Sequence, residues 1–329
     1  MADVIEATER DLMAQTLRQL VEELDGVQLS KALEDFGFAE VLAEAPRAAV
    51  STVFDALGRA GSTSAVLQDV LVQPLTGLLQ RAAGAHCVVL PRIGTDLSGS
   101  LDDGVVTLRG LVIGQRPAIA FLAPVAARGE IAWVSISDPS ALATRVVAGL
   151  DSALAIGEVG VSGVAATVVS SGEQANALWN TVVSAGRRAL GYQIVGAVRA
   201  MIDLAVEHAR NRVQFGHPIG SFQGVRNRLA EAHVAWTAAT AALELAWEAD
   251  DEYLAGMLAK SLAGRSARIA ATHCQQVLAG TGFTAEHPFH RYLARALVLD
   301  SILGSTAELR RAIGQQLVST GTIPRLVEL

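Results

Sequence analysis

Apolar positions change their spacing twice along this chain. From Asp3 to about Ala85 they recur at intervals of three and four, as in Leu12, Leu17, Leu20, Val21 and Leu24, which is the period of one helical face. Breaks fall near Asp25-Gly26 and over Gly58 to Ser64. Between His86 and about Ser170 the texture turns to short valine- and isoleucine-rich pieces set off by glycine, proline and aspartate: CVVLPRIG, GVVTLRGLVIG, PAIAFLAPVA, IAWVSISDP and VSGVAATVVS. From Glu173 the helical period returns. Leu190, Ile194, Ala197, Met201, Leu204 and His208 form one stripe, with Arg199, Asp203, Glu207 and Arg210 mainly off it. Further helices are predicted from about Phe222 to Ala249, Glu252 to Leu278, His290 to Ile302 and Ser305 to Ser319, separated by Gly216-His217-Pro218, Gly280 to Gly282 and Gly304. The chain is therefore expected to be mainly α with a small β domain: an N-terminal helical domain over 1–85, a middle β domain over 86–172 and a C-terminal antiparallel helical bundle over 173–329.

Composition narrows the function. Of 329 residues 51% are hydrophobic and 18% charged, which is incompatible with long disordered segments. Aromatics at 5% favour closely packed helices over a sandwich or propeller. The net charge of −7 and the lack of any basic block give nucleic acid and anionic membranes no electrostatic footing, so neither is an expected partner. The start, MADVIEATERDLMAQTL, has mixed charges rather than a basic and then apolar stretch, and a cytoplasmic location is expected. Apolar runs such as Ala118 to Ala127 and Gly160 to Ser170 are shorter than the roughly 20 residues a bilayer requires. Cys87 and Cys274 have no metal-ligand spacing and are expected as small buried hydrophobes; no metal site is expected.

Two strings in the C-terminal half stand out. One is Arg212-Val213-Gln214-Phe215-Gly216-His217-Pro218-Ile219-Gly220-Ser221-Phe222-Gln223. The other is Gln276-Val277-Leu278-Ala279-Gly280-Thr281-Gly282-Phe283-Thr284-Ala285-Glu286-His287-Pro288. Arg212 offers a planar cationic fork suited to a diphosphate, Gln214 and Gln223 offer amides, and Phe215 an apolar wall. Gln276 can hydrogen-bond, and Gly280 removes a side chain where backbone must approach a ligand. Singly, each is an ordinary helix-end, bundle or turn residue; six in two ordered strings are not. Gly280-Thr281-Gly282 has no preceding strand that would make it a nicotinamide-dinucleotide fingerprint.

With the domain order, these strings resemble the acyl-CoA dehydrogenase family, flavoenzymes that oxidise the α,β carbon–carbon bond of acyl-CoA thioesters. The resemblance is strong from about Arg187 to Arg311 and general before that. It implies FAD as cofactor and assigns Arg212, Gln214, Phe215, Gln223, Gln276 and Gly280 to the ADP half of a neighbouring subunit's FAD.

The same resemblance marks what is missing. The reaction needs a carboxylate to take the α-proton while flavin N5 accepts hydride from the β-carbon. In most members that glutamate precedes a Gly-Thr or Gly-Ser pair after the second string, where this chain has Leu303 before Gly304-Ser305. In others it opens the first bundle helix just before an arginine, where this chain has Gly186 before Arg187. Leucine and glycine are not bases, so no catalytic residue is assigned. Glu286, Asp203 and Glu207 are expected to be structural or solvated. Arg187 falls where members hold an arginine near the CoA-bearing substrate. The family's flavin-ring segments, roughly Val-Thr-Glu-Pro-Gly and Trp-Ile-Thr, have no counterpart in Val89 to Asp96 or Val112 to Gln115, and Trp133 is expected in a core or interface rather than on a ring.

Contacts toward a neighbour's flavin are thus kept while those toward an own flavin and substrate are lost. The pattern resembles the shorter, non-catalytic subunit of actinobacterial α2β2 acyl-CoA dehydrogenases acting on steroid-derived CoA thioesters. It implies a full-length catalytic partner that binds most of the acyl-CoA substrate and supplies the base. Two alternatives are a self-sufficient homo-oligomeric enzyme with a relocated carboxylate, and a flavin-free scaffold or acyl-CoA binding protein.

Overall fold

The computed structural model describes residues 7–79, 86–114, 116–284 and 286–321, with side chains from residue 11 onward; Gln115 and Ala285 of the segments quoted above lie outside them. The chain divides into two compact units. One comprises 1–50 with 63–186, the other 51–62 with 187–329.

The N-terminal part holds helices α1 (Ala7–Glu23), α2 (Gly26–Asp35), α3 (Phe38–Glu44), α4 (Pro46–Ala60) and α5 (Leu67–Val72). The break at Asp25-Gly26 is an N-cap. The Asp25 carboxylate accepts the Gly26 amide at 2.8 Å and the Thr63 amide at 2.6 Å, satisfying donors a helix start leaves orphaned. Two further breaks escape the apolar period: Gly37 takes a left-handed φ of 82°, and Pro46 opens α4.

Nine strands follow in one mixed sheet: β1 (His86–Val88), β2 (Leu90–Pro91), β3 (Gly99–Asp102), β4 (Val105–Ile113), β5 (Ala120–Ala127), β6 (Glu130–Ile136), β7 (Ala143–Val146), β8 (Ile156–Ala165) and β9 (Thr167–Ser171). The order is β7-β8-β4-β3-β5-β6-β9, with β1 beside β5 and β2 beside β4. Alternation decides the faces: on β4, Val106 and Leu108 enter a core with Ala123, Val125, Ala132, Val134 and Val159, while Thr107 and Arg109 are exposed. At the end of β4, Gln68 from α5 is wholly buried, donates to the Val88 and Ile113 carbonyls at 3.4 Å each, and accepts the Val88 amide at 2.8 Å.

Helix α6 (Gly172–Asn211) runs 40 residues from the sheet into the second unit. By length and composition it could cross a bilayer, yet 72% of its apolar stretch is buried, as in the core helix of a folded domain. A two-residue hairpin, β10 (Val213–Gln214) against β11 (His217–Pro218), leads to α7 (Gln223–Leu245), α8 (Glu252–Leu278), α9 (Phe289–Ser301) and α10 (Thr306–Thr320). Glycines allow the closest crossings. A Cβ on Gly58 of α4 would stand 2.2 Å from the Gln193 carbonyl, and one on Gly196 of α6 2.2 Å from the Asp55 carbonyl, so the two backbones touch there. Helices α7 and α8 run antiparallel. Near the start of one, Glu231 pairs at 2.9 Å with His273 near the end of the other.

Candidate functional site

The two strings meet at one end of the second unit. Arg212 follows α6 directly; its amide donates to the His208 carbonyl at 2.9 Å and its carbonyl accepts the Ile219 amide at 2.8 Å, which closes the hairpin. At the tip, Phe215 has a left-handed φ of 52° and is 90% exposed, with its ring edge-on to Phe222 at 6.2 Å. A non-glycine residue in that conformation costs about 1–2 kcal/mol, and nothing in this unit covers its ring to offset the cost. Gln214 bonds only to its neighbour's carbonyl, at 2.8 Å. Gln223 is the first residue of α7 and Gln276 sits in the last turn of α8, so the antiparallel pairing brings both to the same end. Ala279 repeats the strain, with φ 51°, and Phe283 is 75% exposed.

All six residues assigned to dinucleotide binding are exposed. Gly280 is informative because a Cβ there would meet nothing within 4 Å and its φ is not left-handed. Neither space nor backbone within the chain demands glycine, so any demand comes from outside it. The donor set at this end, one guanidinium, three amides, an aromatic ring and a bare backbone, fits a diphosphate with its nucleoside.

The two positions that the resemblance gives to a base, Gly186 and Leu303, lie in quite different surroundings. Gly186 is buried on α6, and the next residue, Arg187, donates from Nε to the Leu303 carbonyl at 3.0 Å. One hydrogen bond thus joins these two stretches. The guanidinium of Arg187 also lies 4.9 Å over the Tyr253 ring, and its Nη1 is buried without a hydrogen-bond partner. Leu303 has φ 56° and Gly304 φ 99°. This tight turn is held by Lys260, which is completely buried and donates from Nζ to the Asp300 carbonyl at 2.8 Å and the Gly304 carbonyl at 2.7 Å. Burial drives the Lys260 pKa down to about 7. The Asp300 carboxylate accepts the Thr306 hydroxyl at 2.6 Å and Arg268 at 3.0 Å. After the turn, Ser305 and Glu308 form a reciprocal capping box that starts α10. Sequence reasoning leaves Lys260 unremarked, because a lysine inside a helical pattern is ordinarily a solvated one.

The other carboxylates weighed as bases, Asp203, Glu207 and Glu286, are all exposed, and Asp203 is paired with Arg199 at 3.0 Å. Trp133 is fully buried, donates to the Ala175 carbonyl at 3.2 Å and stacks edge-on with Trp179, a core role. In the stretches compared above with flavin-ring segments, Ile113 is buried with its carbonyl bonded to Gln68, and Val89 and Leu90 are fully buried. None of these three side chains carries a hydroxyl. On the exposed face of β3, β4 and β8 a groove of 690 Å3 is lined by Arg92, Ser100, Thr107, Arg109 and Ser162. Its two arginines pair with Glu158, Arg109 at 2.7 Å and Arg92 at 3.5 Å, as does Arg145 at 2.6 Å, and Arg109 and Arg145 hold the Glu158 carboxyl down to about 2. Both cysteines are buried; burial pushes the Cys274 thiol up to about 12. No cluster fit to hold a metal ion occurs among the described residues.

Comparison with known proteins agrees with this architecture. Residues 177–318 match the family model "Acyl-CoA dehydrogenase, C-terminal domain". Acyl-CoA dehydrogenase FadE34 of Mycobacterium tuberculosis is 37% identical over 149 residues, 44% of this chain; the chain thereby spans only 20% of that relative's length. FadE27 of the same organism is 30% identical over 276 residues, covering 74% of this chain and 71% of the relative. In structure, a chain of the ChsE4-ChsE5 complex from Mycobacterium tuberculosis superposes with a TM-score of 0.76 over 98% of this chain and 99% of that one, at 21% identity. Helical start, mixed sheet and helical bundle, the two strings, and a relative matched over most of its length converge on one conclusion: the chain belongs to the acyl-CoA dehydrogenase family.

Proposed function

We propose that this chain is the non-catalytic subunit of a heteromeric, FAD-dependent acyl-CoA dehydrogenase. In this reading Arg212, Gln214, Phe215, Gln223, Gln276 and Gly280 grip the ADP half of FAD across an interface with a catalytic partner. The partner supplies the flavin-ring pocket, the base and most of the acyl-CoA site, in an α2β2 assembly. FAD, when bound, supplies the hydride acceptor for α,β-desaturation. This chain's own residues would position the diphosphate and exclude water from it.

The observation that carries the proposal is the replacement of the acid at both seats. Leu303 and Gly186 occupy them, and Lys260 and Arg187 bond the surrounding turn to backbone carbonyls. The carboxylates beside that turn, Asp300 and Glu308, are engaged by Thr306 and Arg268 and by Ser305 respectively. The outward-facing ADP-half residues and the likeness to a chain of a two-protein complex support the rest. CoA thioesters of steroid-derived acids are the substrate class to try first, on the strength of the resemblance to subunits that handle them.

The decisive experiment is copurification from the native host followed by counting subunits and flavin. The proposal expects two different chains with about one flavin per heterodimer, no flavin on this chain alone, and turnover nearly unchanged by Glu286→Gln or Glu207→Gln. Arg212→Ala should strip flavin from the complex, since truncating a charge-assisted contact costs about 1.5–3 kcal/mol, roughly ten- to a hundredfold in affinity. A yellow single chain with dye-coupled dehydrogenase activity would sink the proposal in favour of a self-sufficient enzyme.

A further inference from the structure

The groove on the outward face of the sheet is floored in rows set by strand register. Alternation turns Thr107 and Arg109 of β4 away from the core that Val106 and Leu108 enter. Pairing then sets Ser100 of β3 and Ser162 of β8 on either side of Thr107. Two residues further along, Arg109 stands opposite Gly160, and Gly160 opposite Ala143 of β7. At about 3.4 Å per residue and about 4.8 Å per strand, a row of hydroxyls about 10 Å long lies about 7 Å from a row headed by a guanidinium.

Neither row is used up internally. The Ser100, Thr107 and Ser162 hydroxyls make no hydrogen bond among the described residues. Glu158, nearly buried, accepts Nε of Arg109 at 2.7 Å and Nη2 of Arg145 at 2.6 Å, and pairs with Nε of Arg92 at 3.5 Å. The Nη nitrogens of Arg92 and Arg109 thus make no hydrogen bond among the described residues. Three guanidiniums share one carboxylate, so the cluster keeps a formal charge of +2. Asp96 and Asp102, before and at the end of β3, are exposed and outside the lining. Gly160 keeps the floor low. A Cβ there would meet only the Leu108 carbonyl, at 3.7 Å, and its φ is not left-handed, so the chain itself does not require glycine. A glycine inside a strand weakens it and marks a place of close approach.

A dianion with hydroxyls set back from it matches this layout. A phosphate monoester carries about two negative charges near neutral pH and takes guanidinium N–H groups in pairs. A carboxylate would answer only half the charge. The groove's 690 Å3 lies within the roughly 300–1,000 Å3 of small-molecule sites. We propose that this groove binds a phosphorylated sugar, with its phosphate on the Nη nitrogens of Arg92 and Arg109 and its ring hydroxyls on the Ser100-Thr107-Ser162 row. All of these residues belong to the first unit, so the site stands or falls apart from the dinucleotide residues of the second.

The test is calorimetric titration of the full chain, with any chain that copurifies with it, using ribose 5-phosphate, inorganic phosphate and ribose as probes. Ribose 5-phosphate should bind at least about tenfold more tightly than inorganic phosphate, as two or three added hydrogen bonds provide, and ribose should not bind. Arg109→Gln should weaken ribose 5-phosphate binding about ten- to a hundredfold through loss of a charge-assisted contact. Gly160→Val fills the floor with a residue that suits a strand, and should abolish binding with an unchanged or raised Tm. It decides the matter if the arginine variant does not fold. Equal affinity for the two phosphates, no binding up to about 10 mM ligand, or binding that survives both substitutions overturns the proposal. Flavin content of the copurified complex should be the same in Gly160→Val as in wild type. Flavin lost with that substitution would make the groove part of the dinucleotide site and overturn the proposal as well.

Discussion

The turn at Leu303-Gly304 and the hairpin at Phe215-Gly216 are built from similar parts and finished in opposite ways. Each is a tight turn with a non-glycine residue at a left-handed φ followed by a glycine at a larger one, and each has cationic side chains nearby. At the first, Lys260, Asp300 and Thr306 spend their polar side-chain atoms on the chain itself, almost out of reach of water. At the second, Arg212, Gln214, Gln223 and Gln276 are exposed and Phe215 is almost bare. The lesson is one of destination. Polar groups satisfied internally hold a shape, whereas strained and exposed groups that nothing internal rewards are arranged for something outside.

Substitutions can break this contrast. The largest effect is expected at the closed end. Lys260→Met would remove the lysine donor from one buried and one part-buried carbonyl, a loss of about 2–6 kcal/mol at roughly 1–3 kcal/mol each. Urea unfolding should show it as a lower midpoint. Lys260 also imposes a pH signature: the unfolded lysine keeps its proton up to 10.5 while the folded one sheds it near 7, so across that window the unfolded chain binds more protons. Stability should therefore climb as pH rises through neutrality, and the Met variant should lose that slope; a wild-type stability that falls over the same range would mean the amine is not desolvated as described.

Next comes Gly264→Ala on α8, whose new Cβ would lie 2.1 Å from the Asp300 carboxylate and 2.2 Å from the Thr306 hydroxyl. Overpacking there should cost about 1–3 kcal/mol, measurable as a drop in Tm. The open end predicts the reverse pattern for the same chemical change. Gly280→Ala should leave the urea midpoint within about 0.5 kcal/mol of wild type and still reduce flavin retention in the copurified complex. If instead it unfolds the chain and spares the flavin, Gly280 belongs with the internal residues. The smallest effect sharpens the comparison further: Phe215→Gly should stabilise the free chain by up to about 1 kcal/mol through relief of the left-handed φ, yet weaken assembly in sedimentation experiments.

Much of the fold is legible in spacing alone. Helix α8 is predicted and observed over the same residues, Glu252–Leu278, because its buried face keeps the helical period throughout and Asp251 caps its start. Helix α7 is predicted to Ala249 but ends at Leu245. The chain tightens there into shorter turns, with the Glu248 amide donating to the Leu245 carbonyl three residues back at 3.0 Å. Trp247 lies beneath the Arg188 guanidinium at 4.4 Å and donates to the Tyr192 hydroxyl at 3.2 Å. No local pattern announces that partnership across more than fifty residues. The candidate dinucleotide residues are legible because they sit in two contiguous strings. Lys260 and Asp300 are not, since they lie 40 positions apart and meet only when α8 packs against the end of α9.

By itself, then, the sequence determined the helical, strand and helical order and the family strings, because each is written in local periodicity or in adjacent residues. Tertiary structure alone decided that a lysine in an ordinary helical pattern would be wholly buried beneath the Leu303-Gly304 turn, and that Arg187 would bond that turn to α6. These depend on which helix faces are pressed together, and burial, which sets the cost of a charge, is a property of the packed chain rather than of any stretch of it.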